Sequence, residues 1–270
     1  MRLSVIKPGV LLILLIGCME SENKIALGEN DPCSVYSCIL GGIIRGDTNQ
    51  LSLSIVFTGG DFGDGGEHIF NVLNSHQVKS SFFFTGDFYR NDSFSGIISK
   101  LKDDGHYLGA HSDKHLLYCD WSNRDSLLIS KEEFLADLNA NYQEMESFGI
   151  SLAEAKYFLP PYEWYNDSIS LWTRETGRIL VNYTPGTISH ADYTTPDMPS
   201  YRTSEEIFKS ILEYEKKDPH GFNGFLLLMH IGTYEDRTDK FYYRLDELLF
   251  WLKSRNYRLL RIDDLLDRKD

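Results

Sequence analysis

From residue 51 onward, short apolar runs with two-residue spacing alternate with runs of helical spacing, and this restricts the fold more than any other feature of the 270 residues. Leu51, Leu53, Ile55 and Phe57 alternate with Ser52, Ser54, Val56 and Thr58, the period of a strand, and lead into the glycine-rich turn 59–66. Ile69, Val72 and Leu73 then share one face of a short helix. Residues 78–85 read as a second strand, 97–101 as helix and 106–110 as a third strand. Ser130 with Glu133 forms a capping box ahead of Phe134, Leu138, Tyr142 and Met145, and Gly149 is a C-terminal stop. Residues 156–159, 179–183, 225–230 and 257–262 read as further strands, and Leu245, Leu248, Leu249 and Leu252 mark a final amphipathic helix. Strands separated by helices pair in parallel, and a chain of this length lets the sheet close. The expected fold class is α/β, a distorted (β/α) barrel in a single domain. Polar residues just past the strand ends then gather on one rim.

Hydrophobic residues make up 42% and charged residues 25% of the chain, enough to bury a substantial core. A net charge of −13, with no basic run, argues against a nucleic-acid partner. At the N-terminus, Arg2 and Lys7 flank the apolar run 10–16, which is shorter than the roughly 20 residues a bilayer span requires. It ends in Leu15-Ile16-Gly17-Cys18, similar to a bacterial lipobox, in which the cysteine is lipidated. On this reading residues 1–17 are a lipoprotein signal peptide and Cys18 is the lipidation site. Residues 18–50 are a lipidated tether and N-terminal extension, and 51–270 are the folded domain. The expected location is the bacterial cell envelope, periplasmic or surface-exposed, held to the membrane by the N-terminal lipid. Cys33 and Cys38, five residues apart, either close a small disulfide loop or remain thiols, and Cys119 reads as a buried thiol.

The chemistry concentrates after the third strand. His111 and His115 are spaced i, i+4 in Gly109-Ala110-His111-Ser112-Asp113-Lys114-His115, and a helical turn there would aim both imidazoles at one divalent ion. His230 follows the apolar run 225–229, so it sits at the end of a buried strand, where a satisfied core histidine is the plain reading. Tyr118, Trp121, Tyr162, Trp164 and Tyr193 lie beside these segments and are either packing or walls on which sugars stack. His68, His76, His106, His190 and His220 have no such context and read as structural or exposed.

In their order, these segments resemble the polysaccharide deacetylases of the NodB-homology type, carbohydrate esterase family 4. That family carries Phe-Asp-Asp, His-[Ser/Thr]-x-x-His, Arg-x-Pro-Tyr, Asp-Trp and Leu-x-His elements. Here the second is complete at 111–115, and Leu159-Pro160-Pro161-Tyr162 matches the third except at its first position. Asp192-Tyr193 resembles the fourth with Tyr for Trp, and Leu228-Met229-His230 matches the fifth. The resemblance spans about residues 51–265 and implies metal-dependent hydrolysis of N- or O-acetyl groups from an acetylated oligo- or polysaccharide. It implies His111, His115 and Asp61 as metal ligands, with zinc as the first candidate ion and cobalt, nickel or iron also compatible. It implies His230 as general acid oriented by Asp192, and Pro161, Tyr162, Trp164 and Tyr193 on the substrate side.

The chain also departs from the pattern. Val56-Phe57-Thr58-Gly59-Gly60-Asp61 replaces the paired carboxylates, and if Asp61 is a ligand, the base position falls on Gly60. The arginine that tethers the base in the family is Leu159 here. Asp64 on the same loop, or Glu163 where the family has glycine, could supply a base. Each is otherwise a solvated surface charge. The alternative expectation is a glycan-binding lipoprotein that keeps the deacetylase fold without its catalysis. A hydrolase of small-molecule C–N bonds is a third, marked by a small closed pocket.

Overall fold

The computed structural model describes residues 32–267. The signal peptide, Cys18 and the tether to residue 31 lie outside the described residues. In chain order the elements are β1 (Ser37–Ile39), β2 (Gly42–Arg45), β3 (Ser52–Gly59), α1 (Gly66–Ser75), β4 (Ser81–Phe84), α2 (Gly86–Tyr89) and α3 (Asp92–Asp103). There follow β5 (Tyr107–Ala110), α4 (Lys131–Ser147), β6 (Tyr157–Phe158), α5 (Asp167–Glu175), β7 (Ile179–Leu180) and α6 (Ser204–Lys217). The chain ends with β8 (Phe225–His230), α7 (Leu245–Ser254), β9 (Arg258–Leu259) and α8 (Ile262–Leu266). Among the described residues, no helix is long and apolar enough to cross a membrane.

The strands form one sheet in the order β1-β2-β8-β3-β4-β5-β6-β7, with β9 pairing the start of β3. From β8 to β7 every neighbour is parallel, as the strand–helix alternation predicts. A bridge between Ile43 of β2 and Val181, just past β7, curls the two edges together, so the sheet closes as a distorted (β/α) barrel. Residues 37–45, upstream of the first strand legible in the sequence, contribute to this closure. Arg45 pairs with Phe225 of β8, and Cys33 and Cys38 form a disulfide beside β1.

The two-residue alternation in β3 encodes two buried faces rather than one buried and one wet. Leu53, Ile55 and Phe57 pack outward against the helices, while Val56 joins a second cluster that fills the barrel with Phe83, Tyr107, Tyr157, Leu226 and Leu228. Ser54, on the inner face, is also fully buried and lies 3.4 Å from Ser81. The same parity continues upward, so the residues that follow the inner-face positions emerge at the rim: Thr58 from β3, His111 after β5, Leu159 after β6 and His230 at the end of β8. The helices cover the outer face. The capping box at Ser130 and Glu133 opens α4, and Gly149, with φ +69°, follows its end.

Candidate active site

The rim residues enclose an open cleft of about 470 Å³, lined among others by Thr58, Gly59, Gly60, Asp61, His111, Lys114, His115, Glu163 and His230. Its aromatic lining comprises Phe62, Trp121, Tyr162, Tyr193 and Tyr234.

His111 is held from three sides. Its backbone N–H donates to Asn141 Oδ1 at 2.8 Å and to Phe84 O at 3.1 Å. Its ring Nδ1 lies 2.8 Å from the Leu159 carbonyl, an acceptor, so Nδ1 carries the proton and Nε2 keeps a free lone pair. Burial, with His115 nearby, pushes His111 well below the usual imidazole range. The His115 ring centroid stands 5.1 Å from that of His111, and burial with the His230 charge lowers His115 to about 4. Both rings are therefore neutral at physiological pH, the form that ligates metals.

The i, i+4 spacing predicts a helical turn, but 111–115 is not helical. Ser112 (φ +75°) and His115 (φ +53°) adopt left-handed backbone, and this turns the two rings toward each other. The bend is braced by charge and hydrogen bonding. Asp113 is buried and pairs with Arg90. Asp137 accepts from the Lys114 N–H at 3.0 Å and from the Tyr118 hydroxyl at 2.7 Å. Gly86 is required here, since a Cβ at that position would meet Asp113 Oδ1 at 1.8 Å.

His230 Nδ1 lies 2.6 Å from Asp192 Oδ1, while the His230 N–H donates to Asp192 Oδ2 at 2.9 Å. Burial opposes charge on this imidazole, but the Asp192 charge and hydrogen bond outweigh it and raise His230 above its ordinary range. With Nδ1 committed to Asp192, the proton His230 can exchange in the cleft is on Nε2.

Glu163 enters the cleft on strained backbone. Tyr162 (φ +57°) and Glu163 (φ +53°) are consecutive left-handed residues, a conformation that favours glycine. The Glu163 carboxyl hydrogen-bonds to no other described residue, and burial lifts it to about 7 despite the opposing His230 charge.

The other candidate residues separate. Asp61 lines the cleft and interacts electrostatically with His115. However, among the described residues no group of three or more His, Cys, Asp or Glu side chains stands close enough to hold a metal. A ready-made three-ligand set of His111, His115 and Asp61 is therefore absent, because Asp61 leaves the sheet two residues beyond the end of β3. The donor set fits a divalent cation through its two neutral imidazoles, and Asp61 is a carboxylate of the cleft lining whose charge acts on His115.

Asp64 is corrected more sharply, as it does not line the cleft. Its Oδ1 accepts from the Thr233 N–H at 2.8 Å, and its Oδ2 accepts from Tyr242 Oη at 2.7 Å and pairs with Lys240 at 3.0 Å. Burial opposes its charge, yet those three donors keep it below the usual carboxylate range, which suits a tether and not a base. Pro161 is buried in the turn and Trp164 stands behind Trp121 at 5.5 Å, so neither lines the cleft, whereas Tyr162 and Tyr193 do. Tyr118 is fully buried and belongs to the support of the histidine loop, not to a sugar-facing wall. Leu159 fills the barrel interior, where the family pattern has an arginine.

Sequence reasoning missed Asn141 and Asp137. Asn141 was within reach, since it occupies the apolar stripe of α4, three residues past Leu138, where a polar residue needs a buried partner. Nothing in the sequence pointed to Lys240 or Tyr242 as partners of Asp64.

A family model described as polysaccharide deacetylase matches residues 45–180, half of the chain. An uncharacterised 30.6 kDa protein of Geobacillus stearothermophilus is 22% identical over 243 residues, covering 85% of this chain and 76% of that protein. The peptidoglycan-N-acetylmuramic acid deacetylase PdaA of Bacillus subtilis is 20% identical over 225 residues, covering 83% and 75%. Among solved structures, a CE4 family pseudoenzyme from Bacillus anthracis aligns with a TM-score of 0.65 at 19% identity, over 85% of this chain and 70% of that one. A mutant of that pseudoenzyme is described as having restored enzymatic activity. At this identity the structural likeness shows a shared fold.

Proposed function

The chain belongs to the polysaccharide deacetylase family, and we propose that it removes acetyl groups from a glycan in the cleft bounded by His111, His115, Glu163 and the His230–Asp192 pair. One observation carries this reading. Two imidazoles whose burial disfavours charge and one imidazole paired with the Asp192 carboxylate line the same cleft, which is the division of labour that acyl hydrolysis needs. His111 and His115, with Asp61, would hold a divalent ion, for which zinc suits two nitrogens and an oxygen. When bound, such an ion supplies an acidified water and a polarised acetyl carbonyl.

The remaining work falls to the chain itself. Glu163, poised at about 7, takes up the proton of the attacking water at its free carboxylate. His230 delivers the Nε2 proton to the departing amine or alkoxide, and Asp192 keeps that proton in place through Nδ1. Tyr162 and Tyr193 offer ring faces to the sugar. We further propose that the protein works at the bacterial cell envelope, anchored through lipidated Cys18. The lipobox-like segment supports this, and so does the peptidoglycan activity named for PdaA.

A second reading, glycan binding without catalysis, is favoured by a specific observation. The two positions that follow Phe57 are Thr58 and Gly59, so β3 brings no carboxylate to the rim, and the buried Thr58 hydroxyl has no hydrogen-bond partner among the described residues. Measuring acetate release from N-acetylated chitooligosaccharides and acetylated xylan, with zinc and with a chelator, separates the two. The deacetylase reading expects zinc-dependent release that Glu163→Gln lowers by about a hundredfold or more. Retained glycan binding with no acetate from any substrate would establish the second reading.

A further inference from the structure

Arg237 is one of the largest fully buried side chains, and it is only partly satisfied. Its Nη1 donates to the Thr194 carbonyl at 2.6 Å, whereas its buried Nε and Nη2 have no hydrogen-bond partner among the described residues. The guanidinium carbon lies 5.3 Å from the Tyr201 ring centroid, and the Arg237 N–H donates to the Tyr234 carbonyl at 3.1 Å. Arg237 belongs to the loop that leaves β8 directly after His230, and Thr194 closes the short turn Ser189–Tyr193 that carries Asp192. One hydrogen bond thus ties the loop leaving His230 to the turn that brings its carboxylate partner. Both Asp192 oxygens are already taken, Oδ1 by His230 Nδ1 and Oδ2 by the His230 N–H.

Buried charges are normally paired, and a guanidinium cannot escape burial by losing its proton. Here the buried carboxylate, Asp192, is hydrogen-bonded to the imidazole, and the buried cation, Arg237, has no carboxylate on its free nitrogens. With His230 neutral, Asp192 and Arg237 balance. With His230 protonated, the three together carry one positive charge in excess, which low-dielectric surroundings penalise. The other titratable groups that act on His230 or feel its charge come from three segments. They are Glu163 after β6, His111 and His115 after β5, and His190 and Tyr193 in the turn of Asp192. Burial holds His111, His115 and His190 toward their neutral forms. At His230 itself, burial and the Arg237 charge oppose the imidazolium, while Asp192 and Glu163 favour it.

Building on the deacetylase reading above, we propose that Arg237 is a positioning residue that acts through His230. Its unneutralised charge, fixed beside the Asp192 turn, makes the imidazolium release its Nε2 proton to the leaving group more readily than the Asp192 pair alone would allow.

Nuclear magnetic resonance of the histidine rings in the zinc-loaded full chain, followed across pH and assigned with His230→Gln, tests this. Arg237→Gln and Arg237→Met both remove the charge, and Gln keeps a donor for the Thr194 carbonyl. In whichever of them folds, the pH at which His230 is half-protonated should rise, tightening its hold on the proton about threefold or more. Arg237→Lys keeps the charge and should return that midpoint to within about twofold of the parent. The alkaline limb of the acetate-release profile should move toward higher pH in the uncharged variants, opposite to the movement that loss of Asp192 produces. An Arg237 that only holds the turn in place would leave the midpoint still, or lower it as Asp192 drifts from His230, and either result overturns the proposal. So would a midpoint that rises as far in Arg237→Lys as in the uncharged variants. The ring signals do not depend on turnover, so the two readings fail separately. A midpoint that rises as expected in a chain releasing no acetate upholds the charge coupling and removes the deacetylase. Acetate release with an unmoved midpoint removes the role of Arg237 and spares the enzyme.

Discussion

The two walls of the cleft have been treated differently. On the imidazole wall every functional group has a second layer behind it: Leu159 O and Asn141 for His111, Asp137 and Arg90–Asp113 for the loop that carries His115, and Asp192 for His230. On the β3 wall the strand ends in Thr58-Gly59-Gly60, Asp61 stands alone, and Asp64 is turned away to tie the loop to Thr233, Lys240 and Tyr242. Imidazoles are positioned by buried contacts that are hard to lose without loss of the fold. A carboxylate on a rim loop is not, so it can disappear while the structure stands. Glu163, the base we propose, comes from a third place and on left-handed backbone.

The largest effects are expected at the imidazoles. His111→Ala should abolish binding of zinc and lower acetate release more than about a hundredfold, as measured by metal titration and acetate assay. If His111→Ala binds zinc as the parent does, the imidazole wall is not a metal site. Asp192→Asn should cost about ten- to a hundredfold in rate. Because Asp192 raises His230, its loss should also move the alkaline limb of the pH–rate profile toward acid, while a purely structural Asp192 would leave that limb in place.

The β3 wall can be probed by gain. A Cβ at Gly60 meets nothing nearer than Thr85 at 3.6 Å, whereas one at Gly59 meets Ile231 at 2.7 Å and Phe84 at 2.9 Å. Gly60→Asp should therefore fold normally and raise acetate release about tenfold by returning a carboxylate beside Asp61. Gly59→Asp should lose about 1–3 kcal/mol of stability from overpacking, read by denaturant melts. An unchanged rate in Gly60→Asp would show that the missing carboxylate does not limit the chemistry. The smallest effect on stability is expected at Glu163→Gly, which relieves the left-handed strain and should raise stability by about 1 kcal/mol, while acetate release falls as far as in Glu163→Gln. A variant that is both less stable and fully active would return Glu163 to the status of a surface charge.

Much of the frame was legible beforehand. The strands expected at 51–58, 106–110 and 225–230 appear as β3, β5 and β8, and the capping box at Ser130 opens α4 as read. Period-2 spacing and caps are local, so a single chain displays them. The same spacing did not reveal that both faces of β3 are buried, since a serine inside a barrel and a serine in water leave the same pattern. Strands β1 and β2 were not read from the sequence, because Ser37–Ile39 and Gly42–Arg45 are short and broken by Gly41 and Gly42, with no apolar run to mark them. At the site, the spacing of His111 and His115 was visible but its geometry was not. A helical turn and a left-handed bend leave the same spacing, and the choice depended on Arg90 and Asp137.

Which residue types reach the rim follows from the local pattern of the chain. Strand parity points Thr58, His111, Leu159 and His230 inward, and no distant contact is needed to decide that. Only the tertiary structure decided what those residues can do there. It joined His230 to Asp192 across 38 residues, gave the His111 ring the carbonyl of Leu159 across 48, and drew Asp64 out of the cleft toward partners 169 and 178 residues away. The physical reason is range. Side-chain direction follows from neighbours along the strand, whereas a proton's position, a charge and a free lone pair follow from whatever the fold brings within 3 Å.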